Sequence, residues 1–332
     1  MLQYIARRIM LMIPTVFLIS VISFILIQLP PGDYLTSIVA QMQQSGDHLT
    51  QEALERLKRE YGLGQPIYVQ YAKWMWGILS RGHFGRSFFW NRPVTELIAD
   101  RLSVTVILTL TTMIFTWVLA IPIGIYSATH QYSKLDYFFT SISFIGLATP
   151  DFLLALILIW LAVVYLDRDM AGLFSPEYAD APWSLARLID MMKHIAVPMI
   201  ISGTSGTAGL VRVMRGSLLD ELNKPYVITA RAKGLSENRL LFKYPVRVAI
   251  NPFVSTIGWS LATLFSGGTI VGVVLGLPTI GPLLLSALMA QDMYLAGSIL
   301  FIMSILTVIG TLISDMLLAW VDPRIRFEGG AR

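Results

Sequence analysis

The 332-residue chain contains no cysteine, which excludes a disulfide framework, a thiolate metal site and thiol redox chemistry. It is also poor in charge, with Asp, Glu, Lys and Arg making up 14% of residues, against about 25% in a soluble domain. That shortage excludes an ordinary water-soluble globule. Histidine is scarce, and His48, His83, His130 and His194 all lie outside the apolar stretches. No Gly-x-x-x-x-Gly-Lys-Ser/Thr loop occurs, so the chain lacks the backbone cradle and lysine that hold ATP phosphates. The net charge of +4 is too small to point to nucleic acid. Neither an internal repeat nor a low-complexity tract stands out.

Apolar residues are abundant, at 55% with a mean hydropathy of +0.64. Five stretches carry no charge at all: Ile9–Leu29 (21 residues), Leu102–Thr129 (28), Ile195–Val211 (17), Val248–Gln291 (44) and Met293–Ser314 (22). A sixth, Tyr137–Leu166 (30 residues), carries only Asp151. About 20 apolar helical residues cross a hydrocarbon core roughly 30 Å thick, so the pattern predicts an all-α polytopic membrane protein with six spans. The Val248–Gln291 stretch is long enough for one span plus a further segment, and Gly272, Gly276, Pro278, Gly281 and Pro282 argue against two straight helices. Arg7 and Arg8 before an apolar run resemble the start of a signal peptide. That run reaches Leu29 without a small-x-small cleavage site and ends in Pro30-Pro31-Gly32-Asp33, so a retained first span is expected.

Six spans place both termini on one side, together with the connections near His130–Asp136 and Arg212–Arg247. That side holds fourteen basic residues, eight of them between Arg212 and Arg247, whereas the short connections opposite hold three, Arg168, Arg187 and Lys193. The excess of Lys and Arg puts both termini in the cytoplasm. Residues 30–101 carry eight more but exceed the roughly 60-residue limit of that rule, and are read as external. The expected division is 1–29 as first span with a cytoplasmic N-terminus, 30–101 as external helical segment, and 102–332 as a five-helix core containing the cytoplasmic loop 217–247.

In the external segment, Thr50 can cap a helix bearing Leu54, Leu57 and Tyr61, stopped by Gly62 and Gly64. A second helix is predicted with Pro66 in its first turn, Tyr71, Trp74 and Ile78 on one face, and Gly82 and Gly85 at its end. These aromatics either help cap the outer mouth or sit at the lipid interface. In the cytoplasmic loop, Pro225 can open a short helix that Gly234 ends, and Ser236 can cap another running toward Pro245. Ala230 and Ala232 leave room there for a partner to approach. The alternative is a solvated basic loop that only sets topology.

Tyr226-Val227-Ile228-Thr229-Ala230-Arg231-Ala232-Lys233-Gly234-Leu235 resembles the cytoplasmic signature of ABC-importer permeases of the dipeptide/oligopeptide (peptide/nickel/opine) type. Further matches follow in order along the chain. They are Arg7-Arg8 with Ile13-Pro14-Thr15, Pro31-Gly32-Asp33, Tyr61-Gly62-Leu63, Gln65-Pro66, Gln70-Tyr71, Phe84-Gly85-Arg86-Ser87 and Asp322-Pro323-Arg324-Ile325-Arg326. Two positions depart: Ile228 stands where many ABC permeases carry Glu, and His83 where this type usually has Asp. The resemblance implies a type I permease fold in a prokaryotic inner membrane, without an energy source of its own. It further implies a second homologous permease, two cytoplasmic ATPase subunits holding ATP and Mg, and an external solute-binding protein. Tyr226, Thr229, Ala230, Arg231, Ala232, Lys233, Gly234 and Leu235 would then couple to the ATPases. The cargo would be a peptide, with oligosaccharides, opines or nickel as alternatives.

Two other functions can be weighed on the residues. Gly203-Thr204-Ser205-Gly206 matches the Gly-x-Ser-Gly of intramembrane serine proteases, which need a histidine base within hydrogen-bond reach. His194 stands eleven residues before Ser205, about 16 Å along one helix, so Gly203, Gly206 and Gly209 read as helix packing. A secondary transporter would place several ionisable groups at mid-membrane. Here there are only Asp151 and Asp315, the latter near the cytoplasmic end. Asp151, directly after Pro150, has two open readings: a local helix cap or a place on the substrate path. Trp259 and Phe265 would line that path or simply pack.

Overall fold

Proline and glycine set most of the boundaries seen in the computed structural model, which describes residues 2–28, 65–87, 89–166, 172–178 and 181–321. For 2–5, 7, 256, 258–267 and 321 the backbone alone is described. The expected helix after Thr50 and the terminal Asp322–Arg326 motif lie outside these residues. The helices are α1 (Leu2–Gln28), α2 (Ile67–Arg81), α3 (Val94–Thr129), α4 (Lys134–Ala148), α5 (Asp151–Leu166), α6 (Leu185–His194) and α7 (Ala196–Leu222). They continue with α8 (Pro225–Ala232), α9 (Glu237–Lys243), α10 (Pro245–Ala249), α11 (Asn251–Val274), α12 (Ile280–Met289) and α13 (Met293–Val321). A two-residue antiparallel hairpin, β1 (Arg86–Ser87) with β2 (Arg92–Pro93), pairs Arg86 with Pro93 and Ser87 with Arg92.

Three helices are long and apolar enough to cross a membrane singly: Arg8–Gln28, Val94–Thr129 and Met293–Trp320. Two bent pairs, α4 with α5 and α6 with α7, supply two more crossings if each counts as one. Helix α11, 24 residues without a charge, is the sixth apolar segment of this all-α membrane protein. The expected Tyr137–Leu166 span is not straight. It turns by 101° between α4 and α5, because Pro150 has no amide proton and its ring drives the preceding residue out of helical geometry; Thr149 is accordingly extended at φ −90°, ψ 120°. Nor does α7 stop at Val211: it continues to Leu222, carrying Arg212 and Arg215 on the helix. The Val248–Gln291 stretch divides as its glycines and prolines predict, into α11, a turn with Gly276 at φ +62°, and the ten-residue α12.

The chain forms two units. The first comprises Met1–Met10, Val104–Pro282 and Leu306–Arg332. Within it α7 is the central rod, packed against α4, α5, α10 and α11. Toward one end Ala155, Met191, Ile201, Val271 and Leu275 are buried together; toward the other, Ala120, Met214, Leu218, Val246 and Phe253. Between α4 and α7, Asp136 receives Arg215 Nε and Nη2, both at 3.2 Å.

The second unit comprises Leu11–Ser103 and Leu283–Ile305. Helix α2 forms as predicted, except that Pro66 stands one position before it, and Gly82 ends it at φ +63°. Trp74 is buried with Phe24, Ile27, Tyr294 and Phe301, and Tyr71 packs on this cluster. Phe24 and Phe301 lie 5.6 and 5.7 Å from the Trp74 ring, so this face of α2 is core and not lipid interface. Trp76 and Tyr68 are the exposed aromatics of α2.

Candidate functional site: a helical hairpin and a polar cavity

The loop that carries the signature is a compact pair of helices. Lys224 is extended, Pro225 is the first residue of α8, and eight residues later the helix stops. Its end is a left-handed turn: Gly234 has φ +81°, the Lys233 amide donates to the Thr229 carbonyl at 3.1 Å, and the Leu235 amide to that of Ala230 at 3.4 Å. Glycine suits this turn because a Cβ is penalised at positive φ. Val227 and Ala230 are buried against Leu240 of α9, with Leu235 and Tyr244 packed around them. Arg231 closes the pair from outside, its Nε 2.7 Å and Nη2 3.1 Å from the two Glu237 carboxylate oxygens. That hydrogen bond holds the Glu237 carboxyl below the ordinary glutamate range.

Of the eight residues singled out by sequence, Tyr226, Thr229, Arg231, Ala232, Lys233 and Gly234 are exposed, Leu235 is half-buried and Ala230 is buried. Ala230 therefore serves the seam between α8 and α9, and only Ala232 leaves open space outside. Ser236 occupies the residue before α9 as predicted, but its side chain makes no capping bond. Ile228 at 56% exposure and Phe242 at 61% add an apolar component to the surface. Phe242 was not legible as a surface residue, since the run Leu240-Leu241-Phe242 reads as core. The hairpin presents a firm, mixed apolar and basic face, the kind of surface that another protein covers.

Asp151 belongs to a different feature of the same unit. A cavity of about 270 Å³ is lined by Thr105, Thr109 and Thr112 of α3, Asp151 of α5, Ser202, Ser205 and Gly206 of α7, and residues from α11 to the start of α12. Thr105 Oγ1 accepts the Ile280 amide at 2.9 Å and ties α12 to this wall. A Cβ on Gly281 would meet Thr269 Oγ1 at 2.6 Å and its Cα at 2.8 Å, so the close seating of α12 on α11 requires glycine. Ser205 Oγ donates to Asp151 Oδ2 at 3.4 Å. The capping place falls to Pro150, whose carbonyl accepts the Leu153 and Leu154 amides at 2.9 and 3.1 Å. Asp151 is thus the first residue of α5, with its carboxylate bonded to Ser205 on α7. Trp259 and Phe265 lie on α11, and their side chains are outside the described residues.

Among the described residues the Gly-x-Ser-Gly segment has no protease geometry. Ser205 is bonded to Asp151, and His194 Nδ1 lies 2.9 Å from the Asp190 carbonyl. The helix also breaks at Ile195 with a 52° bend, so His194 and Ser205 do not share one helix as the sequence suggested. Of the three glycines read as packing, Gly203 alone is tight, with a Cβ there 2.8 Å from Phe115. Gly206 faces the cavity and Gly209 has open space.

Apolar crossings, a polar cavity among them and an exposed helical hairpin define a membrane transport subunit. The chain belongs to the family of binding-protein-dependent transport system inner membrane components, whose model matches residues 120–327, while the N-terminal model of that kind matches residues 1–109. Among its relatives, the oligopeptide transport system permease protein AppB of Bacillus subtilis is 36% identical over 98% of this chain and 100% of its own. The peptidoglycan transport system permease protein YejB of Agrobacterium fabrum is 32% identical over 98% of both chains. The oligopeptide transport system permease protein OppB of Haemophilus influenzae is 31% identical over 98% of this chain and 100% of its own.

Proposed function

We propose that this chain is one permease subunit of an ATP-driven ABC importer for oligopeptide-like solutes, delivered by an external binding protein. The observation that carries the reading is full-length similarity to two relatives named as oligopeptide permeases. A second, homologous permease completes the pathway, and two ATPase subunits on the cytoplasmic side hold ATP and Mg. Both termini and residues 217–247 face the cytoplasm, and residues 30–101 face outward, in keeping with the basic-residue asymmetry.

Coupling runs through α8. Its apolar seam and the Arg231–Glu237 pair make α8 and α9 move together, so closure of the ATPase dimer against Tyr226, Ile228, Ala232 and Lys233 displaces a firm body. Helix α7 ends at Leu222, three residues before α8, and extends unbroken to Ser205, about 25 Å away at 1.5 Å per residue. Displacement at the hairpin therefore reaches the cavity wall along one rod. Two states differing in these contacts are what ATP would select between.

The test is reconstitution of the full assembly in proteoliposomes. ATP-dependent uptake of trialanine that requires the binding protein is the expected result; uptake driven by an ion gradient without ATP would overturn the reading. Single cysteines in this cysteine-free chain check orientation. Ser80→Cys should react with an impermeant reagent from outside in sealed cells, and Ala232→Cys should not.

A further inference from the structure

The cavity holds more polar chemistry than its walls consume. Asp151 is the one charged group among the described residues that line it. Thr112, only 1% exposed, also lines it, and its hydroxyl has no hydrogen-bond partner among the described residues. A buried hydroxyl without a partner is costly, so its retention on this wall points to a guest. Ser202 and Thr109 add hydroxyl oxygens, and about 270 Å³ is room for a small polar group rather than a whole peptide. The sign of that group follows from charge. The start of α5 contributes roughly half a positive charge, whereas the Asp151 carboxylate, when ionised, contributes a full negative one, in surroundings that screen it poorly.

We infer that the Asp151, Ser205 and Thr112 cavity is a station for an ammonium group of the passing solute, with the carboxylate supplying attraction and the hydroxyls accepting its N–H donors. The inference rests on the proposed transport role and assigns to it a charge-selective point within this subunit. An amino terminus and a lysine side chain carry the same chemistry, and either can occupy it.

The test uses a thiol placed in the cavity of the reconstituted assembly. Ser202→Cys is nearly isosteric, and Gly268→Cys provides a second position where a Cβ meets nothing within 4 Å. Each is labelled with trimethylammonium-ethyl and with sulfonatoethyl methanethiosulfonate, and rates are normalised to a free thiol. The expected preference for the cationic reagent is roughly tenfold or more, collapsing when Asp151→Asn is added and persisting with Asp151→Glu. Trialanine should slow labelling and N-acetyl-trialanine should not. Protection by N-acetyl-Ala-Lys-Ala would extend the site to side-chain ammonium groups, and failure of that peptide to protect would restrict it to the amino terminus. A preference that survives Asp151→Asn, equal protection by N-acetyl-trialanine, or no labelling at either cysteine in any nucleotide state would overturn the inference. If preference and protection hold while the assembly imports no trialanine, the cargo reading fails and the ammonium site stands.

Discussion

The hydroxyl of Ser87 donates to Asp292 Oδ2 at 2.5 Å, across 205 positions of sequence. The same oxygen accepts the Phe89 amide at 3.3 Å, while Oδ1 accepts the Leu295 amide at 3.3 Å in the first turn of α13. One buried carboxylate thus holds the β1–β2 hairpin and caps a membrane helix. Asp292→Ala should cost about 1–3 kcal/mol for the Ser87 O–H left without its acceptor and about 1 kcal/mol for the lost cap. Asp292→Asn, which keeps an acceptor, should cost less. Thermal unfolding of the purified assembly, with proteolysis at the hairpin, measures the difference; equal stability of parent and Ala variant would refute the role.

The Asp136–Arg215 pair joins α4 to α7. Asp136 also receives the Tyr132 amide at 3.0 Å, and its own amide donates to Ser133 Oγ at 3.1 Å, a reciprocal cap at the start of α4. Its side chain is 4% exposed against 31% for Arg215, so part of the Arg215 charge stays hydrated. Asp136→Ala should therefore destabilise by about 2 kcal/mol, less than the 3–5 of a fully buried broken pair. Asp136→Leu with Arg215→Met should recover part of that loss in the same melting assay, since no unpaired charge remains.

At Gly234 space and conformation separate cleanly. A Cβ would meet nothing within 4 Å, but φ is +81°, so Val is penalised by backbone strain alone, of order 1–3 kcal/mol. Gly234→Val should insert normally yet lower the number of solutes moved per ATP hydrolysed, and Gly234→Asn, which tolerates this region better, should couple nearly as the parent does. Normal coupling in the Val variant would count against α8 as the lever.

Acid should loosen the hairpin at a characteristic pH. Glu237 ionises below its ordinary range because Arg231 hydrogen-bonds its charged form, so the contribution of the pair is complete above the ordinary glutamate pKa, about 4.3, and disappears as pH falls through the lowered folded value. A spin label on Ala232→Cys should gain mobility in a step below about pH 4.3, and Glu237→Gln should abolish the step. A step centred higher would mean that another group controls the hairpin.

Much of this was legible along the chain. Charge-free runs marked the membrane segments because an ionised side chain is expensive in hydrocarbon, and Pro150, Pro225 and Gly234 marked breaks because their backbones allow little else. The reach of α7 to Leu222 was not legible, since Arg212 and Arg215 look like the start of a loop until Asp136, 79 positions away, is seen to accept Arg215. Ala230, expected to leave room for a partner, is buried in the α8–α9 seam instead, because in helices this short the packing partner decides which side is buried.

Composition and order, with physics local to each residue, settle the membrane class, the apolar segments, the bias in the distribution of basic residues and the place of the short helix between Pro225 and Gly234. Which polar residues meet is a matter of packing. Ser205 could have been a nucleophile, a packing residue or a partner for Asp151 until α5 and α7 were brought together, and Thr112 is ordinary until the cavity leaves its hydroxyl alone. Such relations join residues tens to hundreds of positions apart, and their energies exist only once burial has removed the competing water.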